Sequence, residues 1–250
     1  MKKMKLWFKA VAVTLLSLTT APAYADLSEI LASGKVKIAV GENFAPFSSL
    51  GAEGEHVGFD VDVAKLIAKD LGVKLKIVPV VSKQRIPFLE TDKVDLVIST
   101  MGANPSRAKS INFSSAYAPF YSGVFAPSTI KVSSYKDLDG LTIGVTGGTL
   151  EDLELTKMAP KGAKITRFGD NAATLSAIKS KQVQVLVAGN TVAASVTEAN
   201  PDFDLERKFI IKDSPCFIGV KKGNEDLLLS LIHISEPTRR YAISYAVFCL

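Results

Sequence analysis

The chain has 250 residues, 47% hydrophobic and 22% charged, with a formal net charge of +5, long enough to bury a full core as one domain or two. Lys2, Lys3, Lys5 and Lys9 supply four of those charges and Glu236, Arg239 and Arg240 the fifth, so residues 26–228 are neutral in sum. The basic balance gives no support for nucleic-acid binding, and Cys216 and Cys249 alone provide no disulfide framework.

The first stretch, MKKMKLWFKAVAVTLLSLTTAPAYA, joins a lysine-rich start to an apolar run and ends on Ala23-Tyr24-Ala25. It reads as a cleaved secretory signal over residues 1–25. No cysteine follows the cleavage point, which excludes a lipid anchor there. KVKIAV (Lys35–Val40) reads as a strand. FDVDVAKLIAKDLG then reads as a helix with Val61, Ala64, Leu66, Ile67 and Leu71 on its apolar face and Gly72 at its end. VKLKIVPV is a strand, RIPFLETDK a short helix, and VDLVIST (Val94–Thr100) a nearly all-apolar strand of the buried parallel kind.

After SYKDLDG the alternation restarts: strand LTIGVT, helix TLEDLELTKM, strand AKITRF, helix NAATLSAIKSK, strand VQVLVAG, helix NTVAASVTEA, then strand SPCFIGVKK. Two α/β runs of domain size result. Pro119–Ala126 and Ile211–Pro215 read as linkers, so the chain leaves the first lobe, builds the second and returns.

Few residues carry obvious chemistry. Asp60 and Asp62 could be an acid/base pair or metal ligands, but Asp60 as a helix cap with Asp62 in the first turn is the simpler reading. GVTGGTLED lacks the lysine and the spacing of a phosphate loop. Its Thr149 and the free N–H groups at the helix start instead suit an anion. Arg107 lies just past the C-terminal end of a buried strand, where ligands bind in open α/β sheets, and its guanidinium can hold a carboxylate with two bonds. His56 has no partner at metal spacing and reads as solvated; no metal or cofactor is expected.

GENFAPFSS, GFDVDVAKLIAKDLGV, RIPFLETDKVDLVIS, PSRAKSINFSSAY, LDGLTIGVTGGT and SPCFIGVKKGNEDLL resemble, in order and spacing, the polar amino-acid-binding proteins of ABC importers, from about Gly34 to Leu228. The resemblance implies a type II periplasmic-binding-protein fold of α/β class, each lobe a mixed sheet flanked by helices, joined by two hinge crossings. Lobe 1 would comprise residues 26–119 and 215–228, and lobe 2 residues 120–214.

It also implies a site. Arg107 would clamp the ligand's carboxylate beside Thr100, the backbone of Gly102 (where many members have Ser or Thr) and Thr149. Phe44 would pack on the ligand. Ser82 stands where many binders of basic amino acids carry an aromatic. QRIP resembles a motif of glutamate/aspartate binders, making Arg85 either a second anionic contact or an exposed helix-start arginine. Asn190 replaces the Asp that commonly binds the ammonium, or is simply an N-cap. The expectation is a monomeric periplasmic protein, with no catalytic residue, that binds a small acidic or polar amino acid and docks on a membrane permease. A dehydratase acting on prephenate-like acids is the alternative, with Glu42 and Glu151 as the nearest acids.

The last 22 residues, Leu229–Leu250, match nothing before them. LSLIHISEPTR and ISYAVFCL resemble translated halves of a sequencing adapter, with Arg240, Tyr241 and Ala242 in the place of the sample index. The expectation is a non-native, loosely packed tail, with a native chain that continues past Leu228 in amphipathic helix. Sequencing the genomic DNA without such adapters is expected to replace HISEPTRRYAISYAVFCL; finding that sequence there would refute the reading.

Overall fold

The structure, a computed structural model, describes residues 27–234; the lysine-rich leader and residues 235–250 lie outside the described residues. Helix α1 (Leu27–Ser33) leads to strand β1 (Lys35–Gly41), the small pair β2 (Ser49–Leu50) and β3 (His56–Val57), and helix α2 (Phe59–Asp70). Strand β4 (Lys74–Val80), helix α3 (Arg85–Glu90), strand β5 (Leu96–Gly102), the single turn α4 (Arg107–Ser110) and strand β6 (Ile111–Ala118) complete the first run. The second run is β7 (Tyr121–Ala126), β8 (Thr142–Thr146), α5 (Leu150–Met158), β9 (Lys164–Phe168), α6 (Asn171–Lys179), β10 (Val185–Gly189), α7 (Asn190–Ala199) and β11 (Glu206–Asp213). The chain then returns with β12 (Cys216–Lys221) and α8 (Glu225–Ile234).

Two five-stranded sheets result, ordered β4-β1-β5-β12-β6 and β11-β7-β10-β8-β9. In the first, β1 runs parallel to β4 and β5, and β12 is antiparallel to its neighbours. In the second, β8 is parallel to β9 and β10, while β7 is antiparallel to β10 and β11. Every residue of β5 and of β10 is buried, which explains their almost unbroken apolar sequences. This is a mixed α/β fold of two lobes.

The crossings are shorter than the sequence suggests. Only Pro119–Phe120 and Ser214–Pro215 separate strands of the two sheets; most of the two expected linkers is strand β7 and the end of β11. These strands escaped the sequence reading, as did β6, because their serines, glycine and lysines dilute the apolar pattern. Antiparallel strands with one half-solvated face tolerate that dilution. His56, read as solvated, is half-buried in β3.

Helix α2 shows how local sequence fixes the frame. It starts at Gly58, whose φ of 118° and closeness to the Phe47 carbonyl leave no room for a side chain. It then buries Val63, Ala64 and Ile67 against β1 and β5. The Asp60 cap assignment is corrected: Asp60 lies inside the helix and is fully buried.

Helix α8 runs to Ile234, with Leu227 and Leu231 packed into the same core as Ile38 and Ile67. The packed chain therefore continues beyond Leu228, where the sequence reading began the loose tail. The reason is periodicity: Leu227, Leu228 and Leu231 already place an apolar stripe at helical spacing. Leu227→Ala and Leu231→Ala are each expected to cost about 2–5 kcal/mol of stability. Leu229→Ala, at a 55% exposed position, should stay within about 0.5 kcal/mol. Urea unfolding of the three variants checks the contrast; equal losses would refute this packing.

Candidate functional site

The C-terminal end of β5 and the N-termini of α5 and α7 meet at the seam between the sheets. They enclose a cavity of about 30 Å³, room for about two waters. Phe44, Arg85, Thr100, Gly102, Arg107 and Thr149 all line it. Asn190 does not. Its side-chain oxygen accepts the Tyr121 backbone N–H at 3.2 Å, so the expectation that it faces the ligand is corrected.

Arg107 enters from the start of α4 and is 7% exposed. Its Nη1 donates to the Gly102 carbonyl at 2.7 Å and its Nη2 to the Gly148 carbonyl at 3.0 Å, tying the first lobe to the second. Three of the five guanidinium N–H bonds remain for a ligand. Arg85 is not the exposed helix-start residue that the sequence also allowed. It is 4% exposed, with Nη1 donating to the Ser99 carbonyl at 2.8 Å and Nε to the Ser82 carbonyl at 3.1 Å. Burial and then the neighbouring Arg107 pull its pKa down to about 9. Burial also lowers that of Arg107, which Glu151 partly offsets.

Thr100 carries backbone strain. Its φ of 44° lies in the left-handed region, which is unfavourable for a β-branched residue. Thr100 Oγ1 donates to Asp60 Oδ2 at 2.9 Å, Tyr117 Oη donates to Asp60 Oδ1 at 2.7 Å, and the Thr100 N–H donates to Tyr117 Oη at 3.2 Å. Thus Asp60 pins the strained turn from behind. Gly102 fits for a different reason: a Cβ there would stand 2.3 Å from Ser214 Oγ and 3.0 Å from Leu150. Ser214, at a crossing, lines the cavity and occupies the space that a Ser or Thr side chain at position 102 would need.

On the second lobe Thr149 caps α5, accepting from the Asp152 N–H at 3.2 Å. Its hydroxyl donates to the Thr146 carbonyl. Glu151, in the first turn of α5, lines the cavity and is 7% exposed, whereas Glu42 is exposed and outside it. Phe120 also lines the wall, packs edge-on against Phe44, and lies where a Cβ on Gly189 would be. Ser214 and Phe120 were missed as lining residues because the crossings bring them in; of the two acids expected nearest the cleft, Glu151 lines it and Glu42 does not. Asp60 did leave a signal, since it shares the helical stripe of Ala64, Ile67 and Leu71.

Among the described residues no cluster of three or more His, Cys, Asp or Glu could hold a metal, and no helix is long and apolar enough to cross a membrane. The free thiol of Cys216 is fully buried, and burial raises its pKa; such a thiol is inert.

Residues 36–234 match the bacterial extracellular solute-binding proteins, family 3, and the chain belongs to that family. It is 31% identical over 180 residues to the ABC transporter glutamine-binding protein GlnH of Bacillus subtilis (strain 168), covering 70% of this chain and 65% of that relative. The fold matches a mutant of the arginine-binding protein ArgBP from T. maritima with a TM-score of 0.82 and 29% identity, over 90% of this chain and 99% of that one. It also matches the ancestral amino acid-binding protein AncCDT-1, described as a precursor of cyclohexadienyl dehydratase, with a TM-score of 0.80 and 27% identity over 88% and 98% of the two chains. The family and these relatives are named as binding proteins.

Asp60 gives the site a pH signature. Its carboxyl is pushed up to about 6, chiefly by burial, with the Tyr117 and Thr100 bonds and the Arg85 charge pulling the other way; Cys216 also faces it. A folded value above the ordinary 3.8 means that the folded chain holds this proton more tightly than the unfolded one. That stabilisation is full below about pH 4 and is lost as pH rises through about 6, a change of order 3 kcal/mol. Asp60→Asn is expected to remove this fall from the stability-pH curve. Urea unfolding across that window tests it, and identical slopes in the two proteins would refute it.

Proposed function

We propose that the protein binds a small amino acid in the cavity between its two lobes and delivers it to the membrane permease of an ABC importer, working in the periplasm after removal of its leader. The observation that carries this is Arg107, a buried guanidinium on the cavity wall that joins the lobes through the Gly102 and Gly148 carbonyls. A carboxylate there would meet a planar donor fork with unused N–H bonds. Because the cavity has room for only about two waters, an amino acid enters by parting of the lobes. The paired crossings supply the hinge.

Arg85 and Arg107, with Asn190 in place of an acid, would by themselves make the cleft positive. Glu151 and, when ionised, Asp60 offset Arg85 and Arg107, so the buried set is close to neutral. That balance favours a neutral polar zwitterion, with acidic ligands next and lysine or arginine last. Ser82, rather than an aromatic, on the wall supports the last part of the order.

Calorimetry with the twenty amino acids tests the reading. A neutral polar or acidic ligand is expected to bind best, and Arg107→Lys should weaken it roughly ten- to a hundredfold, the worth of a charged hydrogen bond. Unchanged affinity in Arg107→Lys, or tightest binding by arginine or lysine, would refute the assignment. The dehydratase reading has one observation in its favour, the acid Glu151 on the cavity wall. Turnover of prephenate or arogenate by the purified protein would favour it; none is expected.

A further inference from the structure

The cavity wall carries one charge that the carboxylate clamp does not use. Glu151 stands in the first turn of α5, 7% exposed. Ser122 Oγ donates to its Oε1 at 2.8 Å, and its Oε2 has no donor among the described residues. It is near enough to Arg85 and Arg107 to favour the charged form of both. Yet among the described residues it forms no ion pair with either.

A buried carboxylate that shares a cavity wall with two buried guanidiniums and pairs with neither leaves its charge incompletely compensated unless something bridges them. The bridging group has to present a negative end to an arginine and a positive end to the glutamate, a short distance apart. An α-amino acid does this with one carbon, which bears both its carboxylate and its ammonium. A cation at the far end of a long side chain would need an acid remote from Arg107, and Glu151 is the sole acid lining the cavity among the described residues. Asn190 is a poorer candidate, because it does not line the cavity and carries no charge.

We propose that Glu151 pairs with the α-ammonium of the ligand while Arg107 holds the carboxylate, an assignment that rests on the amino-acid reading above. The two recognition groups come from opposite lobes, Arg107 from α4 and Glu151 from α5. The zwitterionic head therefore bridges the lobes, and closure selects ligands that carry both charges.

The test compares each ligand with its counterpart lacking the ammonium. Calorimetry on wild type with the twenty amino acids identifies the tightest-bound one; the second probe is the 2-hydroxy acid with the same side chain. In Glu151→Gln, affinity for the amino acid is expected to fall roughly ten- to a hundredfold, with affinity for the hydroxy acid changing by no more than about threefold. Glu151→Asp, which keeps the charge but shortens the reach, should fall between wild type and Glu151→Gln. It gives the same comparison should Glu151→Gln not fold. Equal losses for both ligands would make Glu151 a neutraliser of Arg85 and Arg107 and overturn the proposal, as would unchanged affinity for the amino acid. Binding of none of the twenty by wild type would remove the amino-acid reading itself, and the Glu151 assignment with it.

Discussion

Two guanidinium groups held out of water on the wall of one cavity are the constraint around which this seam is organised. Like charges buried together repel and lose hydration, and burial followed by the Arg107 charge is what lowers the Arg85 pKa. The structure answers with acceptors: the carbonyls of Ser82 and Ser99 for Arg85, and those of Gly102 and Gly148 for Arg107. Four backbone oxygens, from both lobes, thereby point at one place. The C-terminal end of β5 supplies two of them, which is why the site lies where a parallel strand ends.

The same demand explains the strained Thr100. The left-handed turn at Thr100 falls between the Ser99 and Gly102 carbonyls that accept from the two arginines, and a buried carboxylate grips it. Asp60 accepts from both Thr100 and Tyr117, and being desolvated itself it is stabilised by the Arg85 charge. Cations and anions here are mutually dependent: removing one leaves the other as an uncompensated buried charge.

Much of this fold could be read from the chain. The apolar runs of β1, β5, β8 and β10 and the stripe of α2 are strong local patterns, and the position of Arg107 past β5 follows from them. Residues set by pairing across the seam could not be read in the same way. Ser214 and Phe120 are in two-residue crossings with no periodicity. Glu151 lies just after a cap residue, and nothing local says that the second residue of α5 turns toward the cavity and not toward solvent. Asp60 is the instructive case, since capping preference and helical phase gave different answers, and phase was right. A carboxylate that shares a stripe with Ala64, Ile67 and Leu71 has to be buried.

The close approach of the lobes depends on side chains that are missing at four glycines. A Cβ on Gly147 or Gly148 would stand 2.7 Å from the Lys83 side chain, one on Gly189 would run into the Phe120 ring, and one on Gly102 would meet Ser214 and Leu150. Each contact joins a lobe to the other or to a crossing, so these glycines let the second lobe settle onto the first. With the lobes settled, the Arg107 bond to Gly148 is made, and a carboxylate arriving at Arg107 competes with or adds to that contact. Ligand affinity in such a seam is a difference between two sets of bonds to the same guanidinium, and a polar hinged site can therefore bind firmly and still let go.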